Sequence, residues 1–159
     1  MSVARLLEPV KIPSVLLFDI RTDQSHAGYI SVVNQGLDRE PGHVYRTQFG
    51  HVCSPRWWAC FDRGELPVKT HSGIVTFVGL RAVWGSEEED VIEFSCNGRL
   101  VAYDRTDHWA VNPIGMGDRV CITRTQAKLS FPTGAEHYLI DVRAEWWPAP
   151  GREEFERPR

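Results

Sequence analysis

Hydrophobic and polar residues alternate with a period of two over most of the chain, which is the pattern of half-buried β-strands. Six segments either alternate in this way or form a short apolar run between turn residues: 15–20, 28–33, 43–49, 74–83, 119–131 and 136–146. In the last segment, the residues predicted to face one way are Tyr138, Ile140, Val142, Ala144 and Trp146. Short strands bounded by Gly, Pro and Asn predict an all-β, mainly antiparallel fold.

The clearest local signal is Asn97-Gly98, the preferred two-residue loop of a β-hairpin, which lies between segments 91–96 and 99–104. Because a two-residue loop fixes the register, three cross-strand pairs are predicted: Ile92 with Tyr103, Phe94 with Val101 and Cys96 with Arg99. We expect this largely apolar face to pack inward. The opposite face is predicted to be mostly solvated and contains Val91, Glu93, Ser95, Leu100, Ala102 and Asp104.

One short helix is predicted near residues 55–63. Ser54 is a favourable N-cap, and a proline and a glycine occupy the first helical position and the position past the end. Trp57, Cys60 and Phe61 are spaced so that they form one apolar face of this helix. We expect that face to be part of the core.

About eight short strands with one helix predict a small β-barrel or sandwich, similar in architecture alone to the small oligonucleotide-binding barrels. We expect one barrel-like domain over residues 1–147, since compact domains have about 100–200 residues. Residues 148–159 are rich in proline and charge and are expected to form a poorly ordered tail.

The chain has 159 residues and a net charge of −3, which excludes a strongly basic nucleic-acid clamp but allows a local basic face. No apolar run approaches the length of about 20 residues that a membrane helix needs, so no membrane partner is expected. The four cysteines are scattered, and the first residues lack the apolar core of an export signal. We therefore expect reduced thiols and a cytoplasmic location. The sequence predicts no oligomeric state.

The sequence contains no specific catalytic, cofactor or metal-binding motif, so no cofactor and no metal are expected. His51 and Cys53 lie close together but lack the second ligand pair that a zinc site needs. The polar segment from Asp104 to His108 could bind a divalent ion or act as acid and base, although Asp residues also form turns. An enzyme or metal protein centred on one of these two groups is the third functional hypothesis.

Exposed tryptophan beside arginine is typical of a nucleic-acid stacking surface or of a protein-binding hot spot. Two such pairs are predicted, and the residues of the candidate site are Trp58, Arg56, Trp109, Arg105 and the neighbouring His108. The leading hypothesis is a non-catalytic β-barrel module that binds single-stranded nucleic acid through these residues. The alternative is a protein-interaction or inhibitor module with the same anchors and with the acidic residues 87–90 as a steering patch. A tryptophan that only plugs the end of the barrel would have no partner at all.

Overall fold

The computed structural model describes residues 13–85, 87–131 and 134–151. Within these residues the chain forms six strands, three α-helices and one short 3₁₀-helix. In chain order they are β1 (Val15–Asp19), α1 (Ala27–Leu37), α2 (His43–Phe49), α3 (Pro55–Asp62), β2 (Val68–Arg81), β3 (Glu89–Cys96), β4 (Arg99–Asp104), the 3₁₀-helix (Asp107–Trp109), β5 (Arg119–Phe131) and β6 (Gly134–Trp147).

The six strands form one antiparallel sheet in the order β1-β6-β5-β2-β3-β4. The prediction of a mainly antiparallel β fold is thereby confirmed. The strand count differs from the predicted number of about eight, because two of the predicted strands are helices. Among the described residues β1 and β4 are the edges of the sheet and do not pair with each other, so a closed barrel is not confirmed.

The strand predicted at 28–33 is wrong, since these residues belong to α1. Ile30 is buried whereas Val32 is 60 % exposed, so the two residues do not share a face as they would in a strand. The buried positions Ile30 and Leu37 are seven residues apart, which is the spacing of a helical stripe. Alternation over six residues is too short a pattern to distinguish a strand from an amphipathic helix.

The strand predicted at 43–49 is also a helix, whereas the predicted helix near 55–63 is present as α3. The Ser54 Oγ accepts a hydrogen bond from the Trp57 backbone N–H at 3.3 Å, as its assignment as an N-cap requires. Trp57 is fully buried, and its Nε1–H donates to the Tyr45 hydroxyl at 3.0 Å. The two helices are therefore joined through the core, and the weakly amphipathic α2 is stabilised by this packing.

The β3–β4 hairpin has the predicted register, with three predicted pairs present: Ile92–Tyr103, Phe94–Val101 and Cys96–Arg99. Asn97 and Gly98 have φ values of 51° and 75°, the left-handed conformation that this tight turn requires. The opposite face is solvated only in part, because Val91 and Glu93 are buried whereas Leu100 and Asp104 are exposed. Arg81 of the neighbouring strand β2 donates to the Glu93 carboxylate at 2.7 Å.

The core changes face along the β5–β6 hairpin. The register of the two strands shifts between Thr123 and Arg124, where β6 contains one extra residue, Val142. The buried residues of β5 change from even to odd numbers at this point: Val120 and Ile122, then Thr125, Ala127 and Leu129. Successive residues of a strand point to opposite faces, so the first group and the second group lie on opposite faces of the sheet.

The same shift corrects the prediction that five residues of β6 face one way. Ala144 pairs with Ile122, whereas Ile140 pairs with Thr125, and paired residues share a face. Ala144 and Ile140 are both buried but lie on opposite faces. Tyr138 is on the face of Ile140, where a Cβ at Gly36 of α1 would collide with its hydroxyl. The helix layer therefore covers the second half of the hairpin on that face.

The sheet is strongly curved. The guanidinium carbon of Arg124 in β5 lies 4.6 Å from the centre of the Tyr103 ring in β4. Two strands separate β5 from β4, so in a flat sheet the backbones would be about 14 Å apart at about 4.8 Å per strand. The 3₁₀-helix reaches both edges of the sheet, because His108 stacks on Phe18 of β1 at 5.0 Å and Trp109 lies 6.0 Å from Tyr103.

The buried carboxylate of Asp118 joins three parts of the fold. Its Oδ2 accepts hydrogen bonds from Gly115 N and Trp146 Nε1, both at 2.9 Å. Its Oδ1 accepts from Ala149 N at 2.8 Å, so the start of the predicted tail at 148–159 is held against the sheet. Residues 152–159 lie outside the described part of the chain, and the predicted domain boundary stays a prediction.

Candidate ligand-binding groove

The structure does not bring the five sequence-predicted residues together on one surface. Trp109 is only 3 % exposed and packs on Tyr103, so the expectation that it is an exposed stacking residue is wrong. His108 is 7 % exposed and stacks on Phe18. Both side chains point into the core because the 3₁₀-helix fills the space between the two edge strands. They are not available to stack on an external base.

The other three predicted residues are engaged at separate places. Arg105 donates two hydrogen bonds to the Asp90 carboxylate, at 2.9 and 2.8 Å. Trp58 is half-buried, and the guanidinium carbon of Arg21 lies 4.2 Å from its ring centre. Arg56 is exposed and donates to the carbonyl of Gln48 at 3.2 Å. Gln48 of α2 also lines a cavity of about 410 Å³ together with Lys128.

The groups of the third hypothesis are also engaged in structural contacts. His51 Nε2 lies 2.8 Å from the Asp38 carboxylate. Cys53 is half-buried, and burial raises the pKa of its thiol, which disfavours the nucleophilic thiolate. Among the residues that the structure describes, no three His, Cys, Asp or Glu side chains form a group that could hold a metal ion.

On the face of β2 and β5 that carries the buried Ile122, the apolar core is followed along the strands by a row of polar residues. His71 pairs with the buried Ile122, and Lys69 pairs with Arg124. Strand alternation keeps Gln126 and Lys128 on this same face. We call the surface formed by Lys69, His71, Arg124, Gln126 and Lys128 the basic groove. The core on this face ends at Ile122, because the next β5 residues on the same face are Arg124, Gln126 and Lys128.

Arg124 is the fixed centre of the basic groove. Its Nε–H donates to the Asp141 carboxylate at 2.7 Å, and its guanidinium lies over the Tyr103 ring. The side chains of Arg124 and Asp141 are only 21 % and 14 % exposed. This hydrogen bond is the only one that the Arg124 side chain makes within the described residues, so its two terminal NH₂ groups keep their donors for a ligand.

Tyr103 and His71 extend the same network. The Tyr103 hydroxyl lies 2.9 Å from His71 Nδ1. Burial raises the pKa of Tyr103 to about 12, so the hydroxyl stays protonated at neutral pH. Burial, and then the positive charges of Arg124 and Lys69, lower the pKa of His71, so its imidazole is held neutral. The positive potential that lowers the pKa of His71 is the potential that an anion would experience here.

Three adjoining cavities follow the basic groove. The central one, about 210 Å³, is lined by Lys69, His71 and Arg124 together with Pro67 and Leu139. A cavity of about 280 Å³ shares Arg124 and Leu139 with it and is bounded by the start of α1. A third, of about 410 Å³, shares Pro67 with the central cavity and is bounded by α2. The three cavities are thus neighbours along the groove.

Two of the three cations of the groove have no carboxylate partner. Lys69 and Lys128 form no ion pair with any carboxylate of the described residues, and both are exposed. Outside the groove, the arginines that pair with carboxylates are Arg21, Arg46, Arg63, Arg81, Arg105 and Arg143. Within the described residues, Arg39, Arg56, Arg99 and Arg119 form no such pair. Within the groove, only Arg124 has a carboxylate partner. An acidic protein thus presents a locally positive surface.

The sequence analysis missed this groove, although one signal of it is present in the chain. Apolar residues of β5 change parity between Ile122 and Ala127, and the intervening segment is polar. Such a change indicates that the buried face of the strand changes at this point. A polar side chain between the apolar residues before and after the change is then expected to lie at the end of the core. Its partners in β2 and β6 could not be identified without the strand order.

A comparison with models of protein families found no match, and a comparison with curated proteins found no similar sequence. Within the described residues, no helix combines the length and the hydrophobicity that crossing a membrane requires.

Proposed function

We propose that the protein is a non-catalytic binding module that holds single-stranded nucleic acid along the basic groove. The observation that carries this proposal is the row of cations on one face, of which Lys69 and Lys128 have no carboxylate partner within the described residues. Arg124 and Lys128 are four residues apart in β5, or about 13 Å at about 3.3 Å per residue. Such a row suits an extended ligand with repeated negative charges.

The walls of the groove supply groups that could stack on bases. Tyr29 and His26 of the α1 side line one outer cavity, and Phe49 of α2 lines the other. Tyr29 is 43 % exposed, and its hydroxyl donates to the carbonyl of Leu139 at 2.8 Å, which fixes the ring. Stacking on aromatic rings tolerates any base sequence, so we expect binding with little sequence preference.

We also propose that the curved sheet and the 3₁₀-helix form an incomplete barrel, with the basic groove at its open end. The ring contacts from the 3₁₀-helix to both edge strands support this description. The four free thiols agree with the cytoplasmic location predicted from the sequence.

A protein partner is the second candidate, and one separate feature favours it. Trp84 and Leu80, at the β2–β3 connection, are 56 % and 65 % exposed. Residues 87–89 beside them are exposed glutamates. An exposed tryptophan next to acidic residues could anchor a basic protein surface.

Fluorescence anisotropy with a labelled single-stranded oligonucleotide, measured at several salt concentrations, tests the proposed function. Replacing both Lys69 and Lys128 by Ala should weaken binding and reduce the salt slope by about two units, one for each lost phosphate contact. Arg99→Ala is the matched control, because Arg99 is an exposed cation at the β3–β4 turn and does not line the groove. It should leave both quantities unchanged.

Two results would contradict the proposed function. One is the absence of oligonucleotide binding by the wild-type protein at low salt. The other is an equal loss of binding in the Lys69/Lys128 variant and in Arg99→Ala, which would indicate diffuse attraction without a defined groove.

A further inference from the structure

We propose that the central cavity of the basic groove is a site for a terminal phosphate group, formed by Lys69, His71 and Arg124. This inference rests on the proposed function, since it assigns a chemical specificity to the same groove. The ligand class is a phosphate monoester, either at the end of a nucleic-acid strand or in a small molecule. A monoester has up to two negative charges, whereas each internal phosphodiester has one.

The first argument is the placement of two cations directly opposite each other. Lys69 and Arg124 are paired residues of adjacent antiparallel strands, so their Cβ atoms are about 4.5–5.5 Å apart on the same face. Like charges at such a position repel each other. Asp141 accepts the Nε–H of Arg124 but lines the neighbouring cavity, not the one between Arg124 and Lys69. An anion in the central cavity would compensate both charges.

The second argument is that the arginine is already held in a binding geometry. The bond to Asp141 and the contact with the Tyr103 ring fix the plane of the Arg124 guanidinium. Its terminal NH₂ groups keep donors for a fork-like contact with phosphate oxygens. Because the side chain is fixed before the ligand arrives, little conformational entropy is lost on binding.

The third argument is the size and chemistry of the central cavity. Its volume of about 210 Å³ is the smallest of the three in the groove, and Pro67 and Leu139 line its apolar part. His71 adds a third nitrogen-bearing group, whose orientation is set by the Tyr103 hydroxyl at 2.9 Å. A small cavity with two cations and an oriented imidazole suits a compact dianion better than a base or an extended backbone.

The experiment compares two oligonucleotides of one sequence that differ only in a 5′-phosphate or a 5′-hydroxyl, with a 3′-phosphate form as a further arm. We expect one phosphorylated end to bind about tenfold more tightly than the hydroxyl form, as one charge-assisted contact provides. Lys69→Gln should abolish this preference without changing the melting temperature, because Lys69 is exposed and contacts no described carboxylate. Arg99→Gln should retain it.

Arg124→Gln is tested together with Asp141→Asn, so that no buried carboxylate is left without its partner. This double variant should also lose the preference for the phosphorylated end. Equal affinity of wild-type protein for all three oligonucleotides would overturn the inference, while their binding as such would leave the proposed function intact.

A second measurement separates the failure of the two proposals. Inorganic phosphate is titrated into the wild-type protein and into Lys69→Gln, and the His71 ring signals are followed by NMR. Saturable shifts in the wild-type protein that are lost in Lys69→Gln would support the phosphate site even if no oligonucleotide bound, and would point to a small phosphate monoester as ligand. The absence of saturable shifts would overturn the inference.

Discussion

Replacing Trp109 by Ala tests whether this residue is a core residue, as the structure has it, or a ligand contact. Trp109 is 3 % exposed and packs between Tyr103 and the 3₁₀-helix residue His108. A tryptophan buries about 150–250 Å², and at about 25 cal/mol per Å² this corresponds to about 4–6 kcal/mol. Truncations of buried aromatic residues to Ala cost about 3–5 kcal/mol, so we expect Trp109→Ala to lose about 4 kcal/mol.

The assay is urea denaturation together with thermal unfolding. For a chain of this length each 1 kcal/mol lowers the melting temperature by about 2–4 °C, so the expected decrease is about 8–16 °C. Trp84→Ala is the matched control, because Trp84 is 56 % exposed and should change stability by no more than about 0.5 kcal/mol. Oligonucleotide affinity, measured below both melting temperatures, should be the same for Trp109→Ala as for the wild type.

Two outcomes would refute this argument. A loss of stability below about 1 kcal/mol in Trp109→Ala would mean that the 3₁₀-helix does not hold the ring in the core. A loss of nucleic-acid binding at unchanged stability would show that Trp109 contacts the ligand directly, which the buried position does not allow.

Four further predictions concern the stability of the fold and the titration of His71. Asp118→Ala should destabilise the protein by about 3 kcal/mol in urea denaturation, since three donors lose their buried acceptor, and Asp118→Asn should lose less. In the same assay, Gly73→Ala should lower the free energy of unfolding by about 2 kcal/mol or more, because a Cβ there would collide with the Ser95 carbonyl oxygen. Gly85→Ala is the control and should leave stability unchanged, because a Cβ at Gly85 would lie in open space. Equal effects of the two substitutions would contradict the close approach at Gly73. The pKa of His71 is lowered in the folded state, so below a pH of about 6.5 the unfolded state binds the proton more readily. As the pH decreases through this range, the free energy of unfolding should therefore decrease more in the wild type than in His71→Gln. Parallel pH profiles of the two proteins would show that His71 is not responsible. Bound phosphate should raise this pKa, and an NMR titration of His71 with and without phosphate checks the sign.

The sequence correctly predicted two elements, the β3–β4 hairpin and α3, because short-range interactions between neighbouring residues determine their geometry. The Asn97-Gly98 turn fixes the β3–β4 register by itself, and Ser54 caps α3 with its own side chain. The helices α1 and α2 were missed because their alternation over six or seven residues suits either period. In the structure α1 packs closely against Tyr138 of β6, a residue far along the chain.

The candidate site was less predictable than the fold, for a physical reason. Whether a tryptophan next to an arginine is exposed depends on what packs against it, and the sequence around Trp109 contains no such information. The groove residues Lys69 and Arg124 are brought together by strand pairing between distant segments. Their spacing in the sequence therefore indicates nothing about their distance in the fold.

The change of buried face along the β5–β6 hairpin connects the architecture with the proposed function. Strand alternation in β5 places Arg124, Gln126 and Lys128 on the face that Val120 and Ile122 occupy, so this face becomes polar after Ile122. The extra residue in β6 lets that strand follow the change, because it places the buried Ile140 opposite Thr125, on the other face. One face of the sheet is thus a core at one end and a charged surface at the other. Arg124 lies at the transition, where the Tyr103 ring covers it on one side and solvent can reach it on the other, and such a position combines a fixed geometry with access for a ligand.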